Sequence, residues 1–366
     1  MMVATLGIAL PEIRQSFSLS EVEAASLFSV LMIVAAITST VAGRFADRYG
    51  RKTILISGLS LLAAGFALAG MTSSRLLFFS FLGITGLGYG FTPPALYAVM
   101  SDLLPNKRGL GASLVSVAYG IGGAIGAVLA SRIIAVSGWR AAFVTVGVIA
   151  AVIMLLQLYW IRNIRSIKSA VRGGSFRGAV SLPLLILALA EFIGGSVFWS
   201  SAAWSPTLLR SDKALTLKET GWVMGVLSLA NMLGSFCLGA LSDKLGRRQV
   251  IVLSSLPAAV AAFVVYFWLQ SLLGLALGML VFGTLKASVP ALVVALAQEA
   301  SPQASAGTAS GIIMALHYTA GVIAPLIAAK LISGTGDIVL AMILCTSVPL
   351  LLYGTLIATV RGRGNS

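Results

Sequence analysis

Three ionisable residues stand alone deep inside long apolar runs: Glu191, Lys286 and His317, the chain's one histidine. An ionisable side chain in a hydrocarbon-like setting costs at least a few kcal/mol, so it is kept where it meets a partner, a proton or a ligand. A carboxyl, an amine and an imidazole supply proton-carrying and anion-binding chemistry. Glu191 shares a helical face with Gly194, Gly195, Phe198 and Trp199, at i+3, i+4, i+7 and i+8. The small residues leave room for water or a ligand, and the rings form a wall. The acid reads equally as a proton carrier and as a structural partner of Lys286 or His317. Lesser candidates are Tyr89 and Tyr97, spaced around Pro93 at i+4 intervals, with Tyr119 and Asn231. A tyrosine stripe either presents hydroxyls to a polar substrate or simply packs. Cys237 and Cys345 lie inside apolar segments, with neither disulfide nor zinc spacing. No acid–base–nucleophile trio is visible, so neither an enzyme nor a cofactor is expected.

The elements that must position these residues are membrane spans. Mean hydropathy is +1.00 with 10% charged residues, against roughly 25% charge in a soluble domain. A net charge of +14 would suggest nucleic acid in a soluble protein. Here the basic residues crowd into loops between apolar helices instead, and no nucleic-acid partner is expected. At roughly 20 residues per crossing, the chain accommodates about a dozen spans. The second to sixth are expected at about 22–43, 53–72, 76–101, 109–134 and 140–161. The seventh to twelfth are expected at about 181–205, 219–241, 249–269, 272–298, 307–332 and 338–360. Only ten residues precede Pro11-Glu12, too few to cross about 30 Å of hydrocarbon, so this segment reads either as re-entrant or interfacial or as a first span missing its N-terminal half. Between the sixth and seventh spans, residues 162–180 form a linker with Arg162, Arg165, Lys168, Arg172 and Arg177 and no acid. It is expected to run along the membrane surface.

The stretch Gly43-Arg44-Phe45-Ala46-Asp47-Arg48-Tyr49-Gly50-Arg51-Lys52 returns half a chain later as Gly239-Ala240-Leu241-Ser242-Asp243-Lys244-Leu245-Gly246-Arg247-Arg248. Both copies read G-x-x-x-D-[RK]-x-G-R-[RK] between apolar runs. At a nearly constant offset Pro206 answers Pro11, Pro290 answers Pro94, Glu299 answers Asp102 and Lys330 answers Arg132. His317 answers Tyr119, and Lys286 answers Tyr89. The chain reads as an internal duplication. Most of the 25 basic residues fall in the loops after even-numbered spans, the linker and the Arg361/Arg363 tail. The opposite loops hold Arg14, Arg75, Arg140, Arg210, Lys213 and Lys218. By this bias both repeated stretches, the linker and the C-terminus face the cytoplasm.

The repeated stretch resembles the loops after the second and eighth helices of the major facilitator superfamily, and span count and linker position also fit. The resemblance implies an all-α fold of two six-helix bundles related by pseudo-two-fold symmetry, residues 1–161 and 181–366, joined by 162–180. It implies that spans 1, 2, 4, 5, 7, 8, 10 and 11 line a central cavity, which places Glu191, Lys286 and His317 on cavity spans. It further implies that Asp47 and Asp243 hold the halves together when the cavity faces outward, with Gly43 and Gly239 allowing close helix approach. Arg48, Gly50, Arg51, Lys244, Gly246 and Arg247 complete these conformational-switch loops. Two departures matter. The arginine often found on the fourth helix is Leu82, and the drug-antiporter signature of the fifth helix reads Gly122-x-x-x-Gly126-Ala127-Val128-Leu129-Ala130-Ser131. The expectation is therefore a monomeric secondary transporter in the cytoplasmic membrane, moving a small organic anion or metabolite with H+ by alternating access. Export of amphipathic drugs is the alternative, and a non-transporting sensor on the same scaffold is a remoter one.

Overall fold

A computed structural model describes residues 1–103, 108–160, 181–287, 291–300 and 306–360, and every element among them is helical. The first part holds α1 (Met2–Ser16), α2 (Glu21–Tyr49), α3 (Arg51–Met71), α4 (Arg75–Leu103) and α5 (Arg108–Trp160). The second holds α6 (Leu182–Ser211), α7 (Leu217–Leu245), α8 (Arg247–Phe263, continued by a π-turn, Val264–Trp268), α9 (Leu272–Lys286), α10 (Ala291–Ala300), α11 (Ala306–Thr335) and α12 (Ile338–Thr359). Ten helices among the described residues are long and apolar enough to cross a bilayer. One of these segments, Leu114–Trp160, is 47 residues long and is broken at Gly138 (φ 79, ψ 168), inside the Gly138-Trp139-Arg140 phrase. With that break and α1, the described helices follow the expected order of spans. Over the expected tenth span, α9 ends at Lys286 and α10 begins at Ala291, with 288–290 outside the described residues, and Leu272–Ala300 has the length and hydropathy of one crossing. The 162–180 linker and the Arg361/Arg363 tail lie outside the described residues.

The duplication is written into the backbone. Ser20 opens α2 and Thr216 opens α7. In each case the hydroxyl accepts from the backbone N–H of the third helical residue, Glu23 or Glu219, whose carboxylate binds back to the cap N–H. This reciprocal arrangement satisfies two N–H groups that a helix start leaves unpaired. Two residues before each cap stands a non-glycine with positive φ, Ser18 at 50° and Ala214 at 54°. Between α2 and α3 the chain turns at Gly50 (φ 94), and between α7 and α8 at Gly246 (φ 88). A side chain is disfavoured in that region, which explains why both copies of the repeated stretch keep glycine there.

The end of the bundle carrying the repeated stretches is the linker end; the opposite end is the far end. In the N-terminal part α3 packs against α4 and α5, and α2 against α4. In the C-terminal part α6 packs against α11 and α12, and α9 against α7 and α8. The two parts meet through α1 with α6, α2 with α11, and α5 with α7. Ser29 of α2 donates its hydroxyl to the Val322 carbonyl of α11 at 2.6 Å. At the far end Arg210 of α6 bonds Glu12 of α1 at 2.5 Å, Arg14 bonds Glu21 at 3.1 Å, and Arg75 pairs with Glu23. Phe17, Phe78, Trp139 and Phe143 interlock there, with Trp139 donating to Ser16 at 2.9 Å. Toward the linker end Ile37, Phe236 and Cys237 are exposed.

Gly239 departs from the expectation of close helix approach. A Cβ there would meet no described atom within 4 Å, although the flanking Leu238 and Ser242 of α7 are buried. The surroundings of Gly43 and the side chain of Asp47, within α2, lie outside what is described. Asp243 and Lys244 are exposed. Arg247 instead forms an ion pair with Glu299 at 2.8 Å, fastening α8 to α10.

Candidate functional site

Glu191 sits about nine residues into α6, ~14 Å along its axis at 1.5 Å per residue, and is 0% exposed. The helix starts cleanly here because Ser181 caps it and Pro183 occupies its first turn. Facing Glu191 from α11 is His317, whose Nδ1 lies 2.8 Å from Glu191 Oε1. The other carboxylate oxygen, Oε2, is buried without a hydrogen-bond partner among the described residues. One helical turn on, Gly195 leaves the space that the imidazole fills: a Cβ there would lie 3.0 Å from His317 Nδ1. Trp199 donates its indole N–H to the His317 backbone carbonyl at 3.0 Å. The Phe198 and Trp199 rings each stand 5.7 Å from the imidazole. The face Glu191–Gly195–Phe198–Trp199 is thus folded around one histidine.

Lys286 enters from the end of α9 and is 6% exposed. The suggestion that it pairs with Glu191 is corrected by the geometry. Its ammonium lies over the Phe198 ring at 4.8 Å and the Phe282 ring at 5.4 Å. Among the described residues no carboxylate lies within ion-pair distance of it. Phe198 contacts both groups: Lys286 lies on its ring, and His317, bound to Glu191, stands beside it. Cation–π contact offsets part of the cost of a desolvated ammonium, but it supplies no counter-charge.

The tyrosines extend the cluster into the N-terminal part. Tyr318, next to His317, meets the Tyr89 ring of α4 edge-on at 6.3 Å. Tyr97 bonds Ser116 of α5. Tyr119, on α5, is exposed. Tyr318 was not among the sequence candidates; its one signal was a second polar aromatic at the depth of His317. Asn231 stays apart: it is half-buried on α7 and has no side-chain bond to this cluster among the described residues. No group of His, Cys, Asp and Glu able to hold a metal occurs among the described residues.

The family model of the Major Facilitator Superfamily matches residues 1–358. The chain belongs to the major facilitator superfamily. It is a multi-pass integral membrane protein of a transporter family, not an enzyme family. Among similar superfamily members, a 3-(3-hydroxy-phenyl)propionate transporter of Escherichia coli (strain K12) is 29% identical over 91% of this chain and 83% of its own length. A gallate transporter of Pseudomonas putida is 26% identical over 69% of this chain, and the match spans only 64% of the gallate transporter's length. In structure, a D-xylose-proton symporter superposes with a TM-score of 0.76 over 98% of this chain and 96% of its own, at 18% identity. That likeness establishes the superfamily fold.

Proposed function

We propose that this chain is a secondary transporter of a small organic anion, an aromatic monocarboxylate, carried together with H+ by alternating access. The observation that carries the reading is Lys286: a buried cation, walled by Phe198 and Phe282, with no described carboxylate in reach. A carboxylate supplies the missing charge, an aromatic ring stacks on the walls, and the tyrosines offer hydroxyls to ring substituents. Gallate and 3-(3-hydroxyphenyl)propionate, named for two relatives, are acids of this kind. A cationic drug meets repulsion from the same lysine, which ranks drug export second. The Arg210–Glu12 pair and the Ser29–Val322 bond, which join the two parts, support a form closed at the far end. The distribution of basic residues supports a cytoplasmic linker end in the cytoplasmic membrane.

The test is ligand affinity in the purified protein. Lys286→Gln is expected to weaken binding of 3-(3-hydroxyphenyl)propionate at least tenfold, about 1.4 kcal/mol, and binding of its neutral amide much less. Undiminished acid affinity in the variant, or preference of the wild type for organic cations, overturns the anion reading.

A further inference from the structure

A buried aromatic side chain with a polar tip ordinarily finds that tip a partner inside the protein. Trp199 and Trp204, each 1% exposed, donate to the His317 and Pro325 carbonyls at 3.0 Å. The Tyr266 hydroxyl bonds Ser205 at 2.8 Å. Tyr318 departs from this pattern. It is 5% exposed, with its ring 6.1 Å from the imidazole of His317 and edge-on to Tyr89 at 6.3 Å. Yet its hydroxyl bonds no described residue. Nor is it among the side-chain oxygens sealed off without a partner, so the little surface that Tyr318 exposes includes its hydroxyl. The same holds for Tyr89, half-buried on α4. Two turns toward the linker end, on the same face of α4, Tyr97 is exposed.

We infer that Tyr318 sets the specificity of the anion site, its hydroxyl reading a hydroxyl group on the ring of the bound acid, with Tyr89 beside it. The inference rests on the organic-anion reading above and narrows it to hydroxylated aromatic acids. A row of rings leads from the ammonium to the open hydroxyl. Lys286 lies 4.8 Å from the Phe198 ring, Phe198 lies 5.7 Å from His317, and His317 lies 6.1 Å from Tyr318. An aromatic acid whose carboxylate meets Lys286 lays its ring along this row and brings a ring hydroxyl to its polar end. Tyrosine and phenol can each donate and accept, so the contact needs no charge. A ring without a hydroxyl takes water from the Tyr318 oxygen and returns no bond, and leaving such a group unpaired costs more than an average hydrogen bond contributes.

The other tyrosines of this region are less suited to the reading. Tyr97 already bonds Ser116, and Tyr119 is 43% exposed, where water competes for its hydroxyl. Tyr318 belongs to the C-terminal part and Tyr89 to the N-terminal part, so their contact crosses between the two. The ring hydroxyl is therefore read where the halves of the carrier meet, and a matched acid engages both.

Equilibrium binding to the purified full chain tests this with two pairs of acids, each differing in ring hydroxylation: 3-(3-hydroxyphenyl)propionate against 3-phenylpropionate, and gallate against benzoate. The wild type is expected to prefer the hydroxylated member of at least one pair by about tenfold or more. Tyr318→Phe is expected to bring that pair within about twofold, by losing affinity for the hydroxylated acid while keeping the other. Lys286→Gln should weaken both members of a pair alike and leave their ratio standing. A preference that survives in Tyr318→Phe, or a parallel loss of both members there, marks a packing tyrosine and overturns the inference. Should that variant not fold, Tyr318→Met, which keeps apolar bulk without a hydroxyl, takes its place under the same criteria. Equal binding of both members of each pair by the wild type overturns this inference alone. Failure of the wild type to bind any of the four acids removes the anion reading, and this inference with it.

Discussion

At the scale of single residues, Gly195 is occupied by its neighbour rather than by itself. The position a Cβ would take lies 3.0 Å from His317 Nδ1 and 3.3 Å from the Ala320 Cβ. Gly195→Ala is therefore expected to push the imidazole off Glu191 and cut pH-driven uptake at least tenfold, while the amount of protein in the membrane stays near wild type; immunoblots beside uptake assays check this. Full uptake in the variant would show that the Glu191–His317 bond is not needed. This much was legible in the sequence, because residues four and seven apart on a helix must share a face. Which partner Glu191 chooses was not. His317 and Lys286 come from different helices, and their azimuths are set by how α9 and α11 pack on α6, which periodicity does not encode. Tyr318 was hidden for the same reason.

Individual elements carry their own stops and starts. Thr216 and Glu219 close a reciprocal cap on α7, and Gly246 ends that helix with φ 88. Removing the cap hydroxyl in Thr216→Ala costs about 1 kcal/mol. Gly246→Ala forces a side chain into the left-handed region for roughly 1–2 kcal/mol. Both are expected to lower the melting temperature in detergent by several degrees, and Gly246→Ala by more; the reverse order would contradict the positive-φ turn. Span positions were legible from apolar runs, whose length in a bilayer is nearly fixed. That the tenth span carries Lys286 at the last residue of α9 was not legible, because Leu272 to Ala300 is one apolar run by composition.

In the whole molecule, the Arg210–Glu12 pair at 2.5 Å joins α6 to α1 across the two parts at the far end. A carrier opening at that end must part them in every cycle. Glu12→Gln is expected to shift the population toward the far-end-open form, read as faster labelling of a cysteine placed at Ser29, whose hydroxyl bonds Val322 across the same seam. Arg210→Gln should act in the same direction, and the double variant should add little. Unchanged labelling in both would leave the pair as surface decoration. The duplicated plan itself was legible from the repeated loop stretch. The far-end latch was not, because Glu12 and Arg210 lie far apart in the chain and belong to no motif.

The indole of Trp199 is pinned by its N–H to the His317 carbonyl, with its ring 5.7 Å from the imidazole bound to Glu191. An indole's emission energy follows the electric field along its long axis. Here the chromophore is held beside the imidazole that contacts the Glu191 carboxyl. A change of charge on Glu191 is therefore expected to shift the emission of Trp199, read by subtracting the spectrum of Trp199→Phe; an emission that does not move with pH would count against titration of that carboxyl.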